Sequence, residues 1–349
     1  MRFQLFGKSA VCLLMAMPLL ACSSSEKQSE MMVDDGAVLI SGDLTYEKAM
    51  EALAPLMKKD VAVMTVIEDA AVGREVAVDG HLRHIRVGSV VHLYFTQSDK
   101  ASVRWEVPER LKEYFSVSYS GGTLSAGQND NLKSRRGITL HKGEEVNLYV
   151  SAPRLETLEM SGATRAQLGN VSQQEPVDVR LSGASKAVGQ TVMSSGAVTI
   201  QCSGASETAF KEVYSGDRVG FNCSGAGNLA VDMLTGKFYS LNCSGASKLT
   251  LTRFNRTEAL DVRASGAGKV NVNGNAGEAR FTVSGASNVY YAGRTDRVTV
   301  TCSGSSSARL DGEAKEASLN ASGVSKISAS GMKIDKVSRN ETKMAKITL

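Results

Sequence analysis

Phe221-Asn222-Cys223-Ser224-Gly225-Ala226-Gly227-Asn228-Leu229-Ala230-Val231 holds one unit of the pattern that organises this chain. Phe221 and Cys223 flank a polar Asn222, a Ser-Gly-Ala triplet follows, and Leu229 and Val231 resume the alternation around Ala230. Alternation of this kind places every second side chain on one face, so each arm is a short strand with a buried side. The triplet between the arms is a corner, because glycine tolerates the left-handed or crowded backbone that a sharp corner requires.

Working outward, Ser-Gly pairs recur at Ser161, Ser182, Ser203, Ser224, Ser244, Ser265, Ser284, Ser303 and Ser322. The intervals are 21, 21, 21, 20, 21, 19, 19 and 19 residues. Three positions before each Ser stand Leu158, Val179, Ile200, Phe221, Leu241, Val262, Phe281, Val300 and Leu319, all apolar. The next column is polar: Glu159, Arg180, Gln201, Asn222, Asn242, Arg263, Thr282, Thr301 and Asn320. The column touching the Ser is apolar or small, from Met160 and Leu181 through Cys202, Cys223 and Cys243 to Ala321. After the corner a weaker apolar column runs from Ala166 to Ile327, with Thr208 as its exception, and a second runs from Leu168 to Ala329, interrupted by Gly189. The small residue after each Gly, Ala163 to Ala286 and then Ser305 and Val324, is expected to leave room for the next coil. Turn-rich stretches such as Ser195-Gly196 and Ser215-Gly216 lead to the following strand.

A repeat of about 20 residues also suits leucine-rich repeats, but those need a helical segment with its own apolar face, and here the unit is β throughout. The fold class is therefore all-β: a parallel, right-handed β-helix solenoid of about nine 19–21-residue coils, the hand following from the general preference of parallel crossovers. Coils stacked ~4.8 Å apart make a rod of roughly 40 Å. Residues 156–330 carry the repeats, and residues 331–349 are expected to close the far end. Residues 74–155 have strand character without the period, including VGSVVHLYFT from Val87 and a hairpin around Gly121-Gly122. They are expected to cap the rod and shield an edge that would otherwise template aggregation.

This region carries a family resemblance. Val87-Gly88-Ser89-Val90-Val91 before a strand, Ala152-Pro153 leading into the repeats, and Ser-Gly-Ala-Ser corners at Ser182 and Ser203 resemble the DUF2807 family, the auto-transporter adhesin head or GIN domain, over about residues 74–330. The resemblance implies an exported β-helical protein of Bacteroidetes-type bacteria with an adhesin label. It supplies no catalytic residue.

The N-terminus reads as an export signal over residues 1–21: Arg2 and Lys8, an apolar run from Ala10 to Leu20, then Leu19-Leu20-Ala21-Cys22. The run is too short for an ordinary membrane-spanning helix. The final four residues resemble a lipobox, which makes Cys22 the lipid attachment site; an ordinary signal with Cys22 incidental is the bland alternative. Ser23 fits sorting to the outer membrane, with a periplasmic or surface-exposed body. Residues 22–73 form a tether, with a possible short helix over Thr45–Lys58 that Pro55 opposes.

Removing residues 1–21 takes away two cations and no acid, so 38 − 36 leaves a net charge of +2, which argues against nucleic acid as a partner. No motif for nucleophilic catalysis, phosphate cradling or zinc hydrolysis occurs, and no catalytic residue, metal ligand or cofactor is assigned. The four histidines, His81, His84, His92 and His141, all precede the repeats. Cys202, Cys223, Cys243 and Cys302 share one hydrophobic column, where they are free thiols, a disulfide or, least simply, metal ligands. Three positions past each Gly lies a column containing Arg165, Lys186, Lys248, Lys269 and Lys326, alongside Glu207, Asn228, Asn288 and Ser307. It is either a stripe for an anionic glycan, lipid headgroup or other surface component, or a solvated face that keeps the rod soluble. The function expected is a non-catalytic surface lipoprotein that adheres through the solenoid flank. The rivals are an envelope spacer without a ligand and a glycan lyase or hydrolase.

Overall fold

The computed structural model describes residues 31–34, 37–40, 72–129, 140 and 144–349. Cys22, the signal segment and Thr45–Lys58 lie outside the described residues. Within the stretch read as a tether, Met31–Asp34 pairs antiparallel with Ala37–Ile40. The rest is almost entirely strand, with one 3₁₀ turn at Glu109–Leu111, and forms a parallel β-solenoid of about nine repeat coils.

The corners set the stack. Gly162, Gly183, Gly204, Gly225, Gly245, Gly266, Gly285, Gly304 and Gly323 have φ between 67° and 76°, a left-handed conformation that side chains resist. A Cβ at Gly183 would stand 2.7 Å from the Gly162 carbonyl oxygen, and one at Gly245 would stand 2.6 Å from that of Gly225. Each corner donates to the coil before it: the Ala184 N–H reaches the Gly162 carbonyl at 2.8 Å, and the Ala205 N–H reaches that of Gly183 at 2.7 Å. This ladder fixes the register on both sides. Phe221 pairs with Ile200 and Leu241, and Leu229 pairs with Thr208 and Leu249.

The column Leu158, Val179, Ile200, Phe221, Leu241, Val262, Phe281, Val300 and Leu319 is wholly buried. The two irregular positions past the corner also face inward. Gly189 makes room for the Phe210 ring of the next coil, whose Cε1 would stand 2.5 Å from a Cβ there. The Thr208 hydroxyl lies 3.0 Å from the Cys202 sulfur. The expectation for the small residue after each Gly needs correction. Ala163 and Ala184 are exposed at the corner, and the buried small residue is the next one: Thr164, Ser185, Ser206, Ser247, Ser287, Ser306 or Ser325. Backbone twist through the left-handed Gly turns that residue inward. In two coils its hydroxyl closes the corner from inside, Ser185 donating to Ser182 O at 2.8 Å and Ser247 to Ser244 O at 2.7 Å, while Ser306 and Ser325 donate to Val283 O and Cys302 O of the coil before.

Residues 84–97 form a further coil. His84–Val87 pairs parallel with Thr157–Met160, and Val91–Gln97 with Arg165–Leu168. Its corner is Gly88-Ser89 with the order reversed, so Ser89 takes the left-handed place at φ 66°, and the Ala163 N–H donates to Ser89 O at 2.6 Å. Thr123–Gln128 and Val146–Ala152 stack parallel on this coil. Beyond them the pairing turns antiparallel, with Phe115–Ser120, Ser102–Val107 and then Val72–Val76. At the other end Lys326–Glu341 stacks as a coil on Ser307–Ala321, and Lys346–Thr348 pairs with Lys326–Ser328.

Candidate functional site

Two outward faces carry the polar chemistry, one on each side of the Ser-Gly-Ala corner. On the face after the corner, strand register lines up Arg165, Lys186, Glu207, Asn228, Lys248, Lys269, Asn288, Ser307 and Lys326 on neighbouring strands. The five cations therefore share one column, joined at the far end by Lys346. They are not equivalent. Lys186 is half-buried and pairs with Glu207 at 2.6 Å, whereas Lys269 and Lys326 are exposed.

The column continues past Arg165 into residues that repeat-based reasoning does not reach: His92, Asn147 and Glu106, each the register partner of the last. Glu106 is 2% exposed and ion-paired with Arg104. Burial, with Arg165 adding to it, pushes the His92 imidazole down to about 4. Burial raises the Glu145 carboxyl and, helped by Glu145 and Glu106, lifts the Tyr94 phenol to about 12. Tyr94 and Tyr149 stack with centroids 5.0 Å apart, and the Arg104 guanidinium lies 5.9 Å from the Tyr149 ring centroid. At ordinary pH this end is a neutral imidazole and two phenols packed beside an ion pair whose carboxylate is buried and whose guanidinium is half-buried. Its alternation signal lay in HLYF and NLYV, but nothing there marks which face is covered.

On the face before the corner, the row Ser118, Ser125, Arg86, Glu159, Arg180, Gln201 and Asn222 crosses seven adjacent strands. Its stretch from Arg86 to Asn222 floors a groove of about 700 Å³, walled by the Phe115–Gln128 hairpin that carries Ser118 and Ser125. Arg86 Nε contacts Glu159 Oε2 at 2.8 Å, Arg180 Nη1 contacts Glu159 Oε1 at 3.0 Å, and Arg180 Nη2 reaches Asp178 Oδ2 at 2.5 Å. Both oxygens of Glu159 are thus held by guanidinium groups. Asn242 Nδ2 donates to Asn222 Oδ1 at 2.8 Å.

The four cysteines are buried free thiols. Cys202, Cys223 and Cys243 are register partners in successive coils. Cys223 is pushed up by its hydrogen bond to the Cys202 sulfur and by burial, and burial lifts Cys302 to about 11. Among the described residues no group of His, Cys, Asp or Glu has the arrangement of a metal site. His141 lies outside the described residues.

Residues 81–276 and 275–348 match the family described as "Putative auto-transporter adhesin, head GIN domain", DUF2807. No curated protein matches the chain. Among solved structures, a "putative adhesin" from Parabacteroides merdae is similar at 15% identity and a TM-score of 0.41, covering 80% of this chain and 96% of that one. A "putative lipid binding protein" from Parabacteroides distasonis is similar at 16% identity and a TM-score of 0.39, covering 80% and 97%. A "putative adhesin" from Bacteroides fragilis stands at 15% identity and a TM-score of 0.35, covering 81% and 98%.

Proposed function

This chain belongs to the DUF2807 family, and on that premise we propose that it is a non-catalytic surface adhesin, lipid-anchored through Cys22 in the outer membrane, that binds an anionic surface polymer along its flank. The family description supports an adhesin-like role. The observation that carries the choice of flank is the register: Lys248 and Lys269 are direct neighbours, in the same column as Arg165, Lys186 and Lys326. Like charges repeated at the ~4.8 Å strand spacing suit a polymer that presents charge along its length.

The test uses hyaluronan and heparin as probes, titrated calorimetrically at low and high salt. Binding that weakens with salt and falls in the Lys248→Gln/Lys269→Gln variant supports the flank. Binding untouched by that variant removes the flank from the proposal. The anchor is checked separately: Cys22→Ala should abolish labelling by a lipid precursor and release the protein from membranes. One observation favours an envelope spacer instead: Lys186 is already engaged by Glu207 at 2.6 Å, as befits a self-neutralised surface. Silence toward both polyanions favours that reading.

A further inference from the structure

We infer that the groove on the opposite face, beneath the Phe115–Gln128 hairpin, is a binding site for an uncharged, extended oligosaccharide. The inference rests on the adhesin reading in taking the protein to bind surface polymers, but it concerns a different face and a different chemistry.

The first support is shape. About 700 Å³ lies within the roughly 300–1,000 Å³ typical of ligand sites. The floor row from Arg86 to Asn222 crosses five strands, so its four spacings extend about 19 Å at ~4.8 Å each. A linear chain of several sugar rings fits along such a track better than a compact metabolite.

The second is charge. Arg86 and Arg180 are balanced by Glu159 and Asp178, in contact with them at 2.8, 3.0 and 2.5 Å. The floor residues Arg86, Glu159 and Arg180 together with Asp178, which lies beside the groove against Arg180, are two positive and two negative groups, so this ion-paired cluster has a formal charge of zero. A polyanion gains nothing there, and recognition falls to hydrogen bonds.

The third is the set of hydrogen-bonding groups. The Gln201 carboxamide has no partner among the described residues, and so offers both a donor and an acceptor. Ser182 and Ser203 donate their hydroxyl protons to Met160 O at 3.0 Å and Leu181 O at 3.1 Å. Their oxygens therefore remain as acceptors in the wall of the groove. Guanidinium, carboxylate, carboxamide and hydroxyl groups side by side match sugar hydroxyls, each of which donates and accepts. The ion pairs hold the arginines in place before any ligand arrives, which reduces the ordering cost of binding.

The floor also discriminates against a peptide. An extended peptide binds a sheet by adding to an unpaired edge. The floor strands His84–Val87, Thr157–Met160, Val177–Leu181 and Val198–Cys202 are each paired on both sides. These four strands present side chains to the groove and no free backbone edge; the unpaired edge of the hairpin strand Phe115–Ser120, which among the described residues pairs only with Thr123–Gln128, is what the peptide arm of the test probes.

The experiment titrates the purified chain with cellohexaose, laminarihexaose and isomaltohexaose, with a hyaluronan hexasaccharide and an extended Ser-rich peptide in parallel. At least one neutral hexasaccharide should bind with an affinity unchanged between low and high salt. Gln201→Ala, a surface change that leaves the fold intact, should weaken it about tenfold, the loss of one to two hydrogen bonds. Ser203→Trp should abolish it by filling the groove, with thermal unfolding confirming that each variant is folded. Lys248→Gln/Lys269→Gln should leave it unchanged. The inference is overturned if no neutral hexasaccharide binds, if binding survives both groove variants, or if only the anionic sugar or the peptide binds. Loss of the neutral sugar with polyanion binding retained sinks this site and leaves the adhesin reading standing. The opposite pattern sinks the cationic flank alone.

Discussion

Each coil turns sharply at Ser-Gly-Ala and then again on its far side, and the two turns behave differently. The glycines of the Ser-Gly corners, the last two followed by Ser305 and Val324, keep φ within 67–76° from Gly162 to Gly323. The far side begins with Ser195-Gly196 and Ser215-Gly216 between separate strands, then becomes the unbroken strand Lys248–Ala264 and its successors. Register shifts occur at Leu251, Phe254 and Thr257, within that side. The drop in interval from 21 to 19 residues is absorbed there, while every corner stacks on the last. One tight, uniform turn per coil is enough to hold a solenoid in register. The rest of the circuit is free to change length.

The largest expected effect tests that asymmetry within one coil. At Gly225 φ is +67°, and a Cβ would meet Gly204 O at 2.8 Å. Gly225→Val should lower stability by about 3 kcal/mol or more, combining strain at a left-handed position with displacement of the coil below. Gly220→Val is the control, since its Cβ meets only the Thr199 side chain at 3.7 Å. There a β-branched residue in a strand should shift stability by less than about 1 kcal/mol, in either direction. Similar denaturation midpoints for the two variants would mean that the corners are not tight.

The coil of residues 84–97 provides the next test. His92 is held neutral, its value lowered from 6.5 to about 4 by burial and Arg165. The unfolded chain therefore takes up a proton at a pH where the folded one does not. Stability present above pH 6.5 is lost as the pH falls toward 4, by at most roughly 3 kcal/mol. Glu145, raised by burial, works in the opposite sense and trims the loss at the acid end. Urea unfolding of His92→Gln between pH 7 and 4 should give a flatter profile than the parent. Parallel profiles would show that His92 titrates alike in both states.

A smaller effect, about 1–2 kcal/mol, is expected for Ser247→Ala, because its buried hydroxyl donates to Ser244 O at 2.7 Å and lies 3.2 Å from Cys223 O. Gly227 and Gly268 occupy the same place in their own coils, so the column does not depend on every hydroxyl. The smallest effect has the opposite sign. Ser89→Gly should raise stability by about 1 kcal/mol, by relieving a side chain at φ 66°. A loss on that substitution would assign Ser89 a contact that outweighs its strain.

The repeat and its buried column could be read directly, because Leu158 through Leu319 keep one position in every unit and burial follows alternation. Ala163 and its successors misled because Ala and Ser are both small, and only the left-handed twist decides which of the two turns inward. The coil at His84 escaped a Ser-Gly search because Gly88-Ser89 reverses the order. The groove was invisible for a different reason. Arg86 and Glu159 are 73 residues apart, and the hairpin wall comes from a segment with no period to relate it to the repeats.

The interchangeability of the corners makes the height of the rod a heritable variable. Excision of Gly204–Ser224 joins Ser203 to Gly225 and rebuilds a Ser-Gly-Ala turn without a scar. Asn228 then meets Lys186, Leu229 meets Ala187, and Val231 occupies the space beside Gly189 that Phe210 now fills. Duplication of the same segment inserts a coil whose Ser-Gly-Ala corner stacks in register, with the second Phe210 set against the first instead of against Gly189. Unequal recombination between units can therefore lengthen or shorten the molecule in steps of one strand spacing, ~4.8 Å, while both ends keep the neighbours they were built for. A lineage can adjust the length of the rod without redesigning either of its ends.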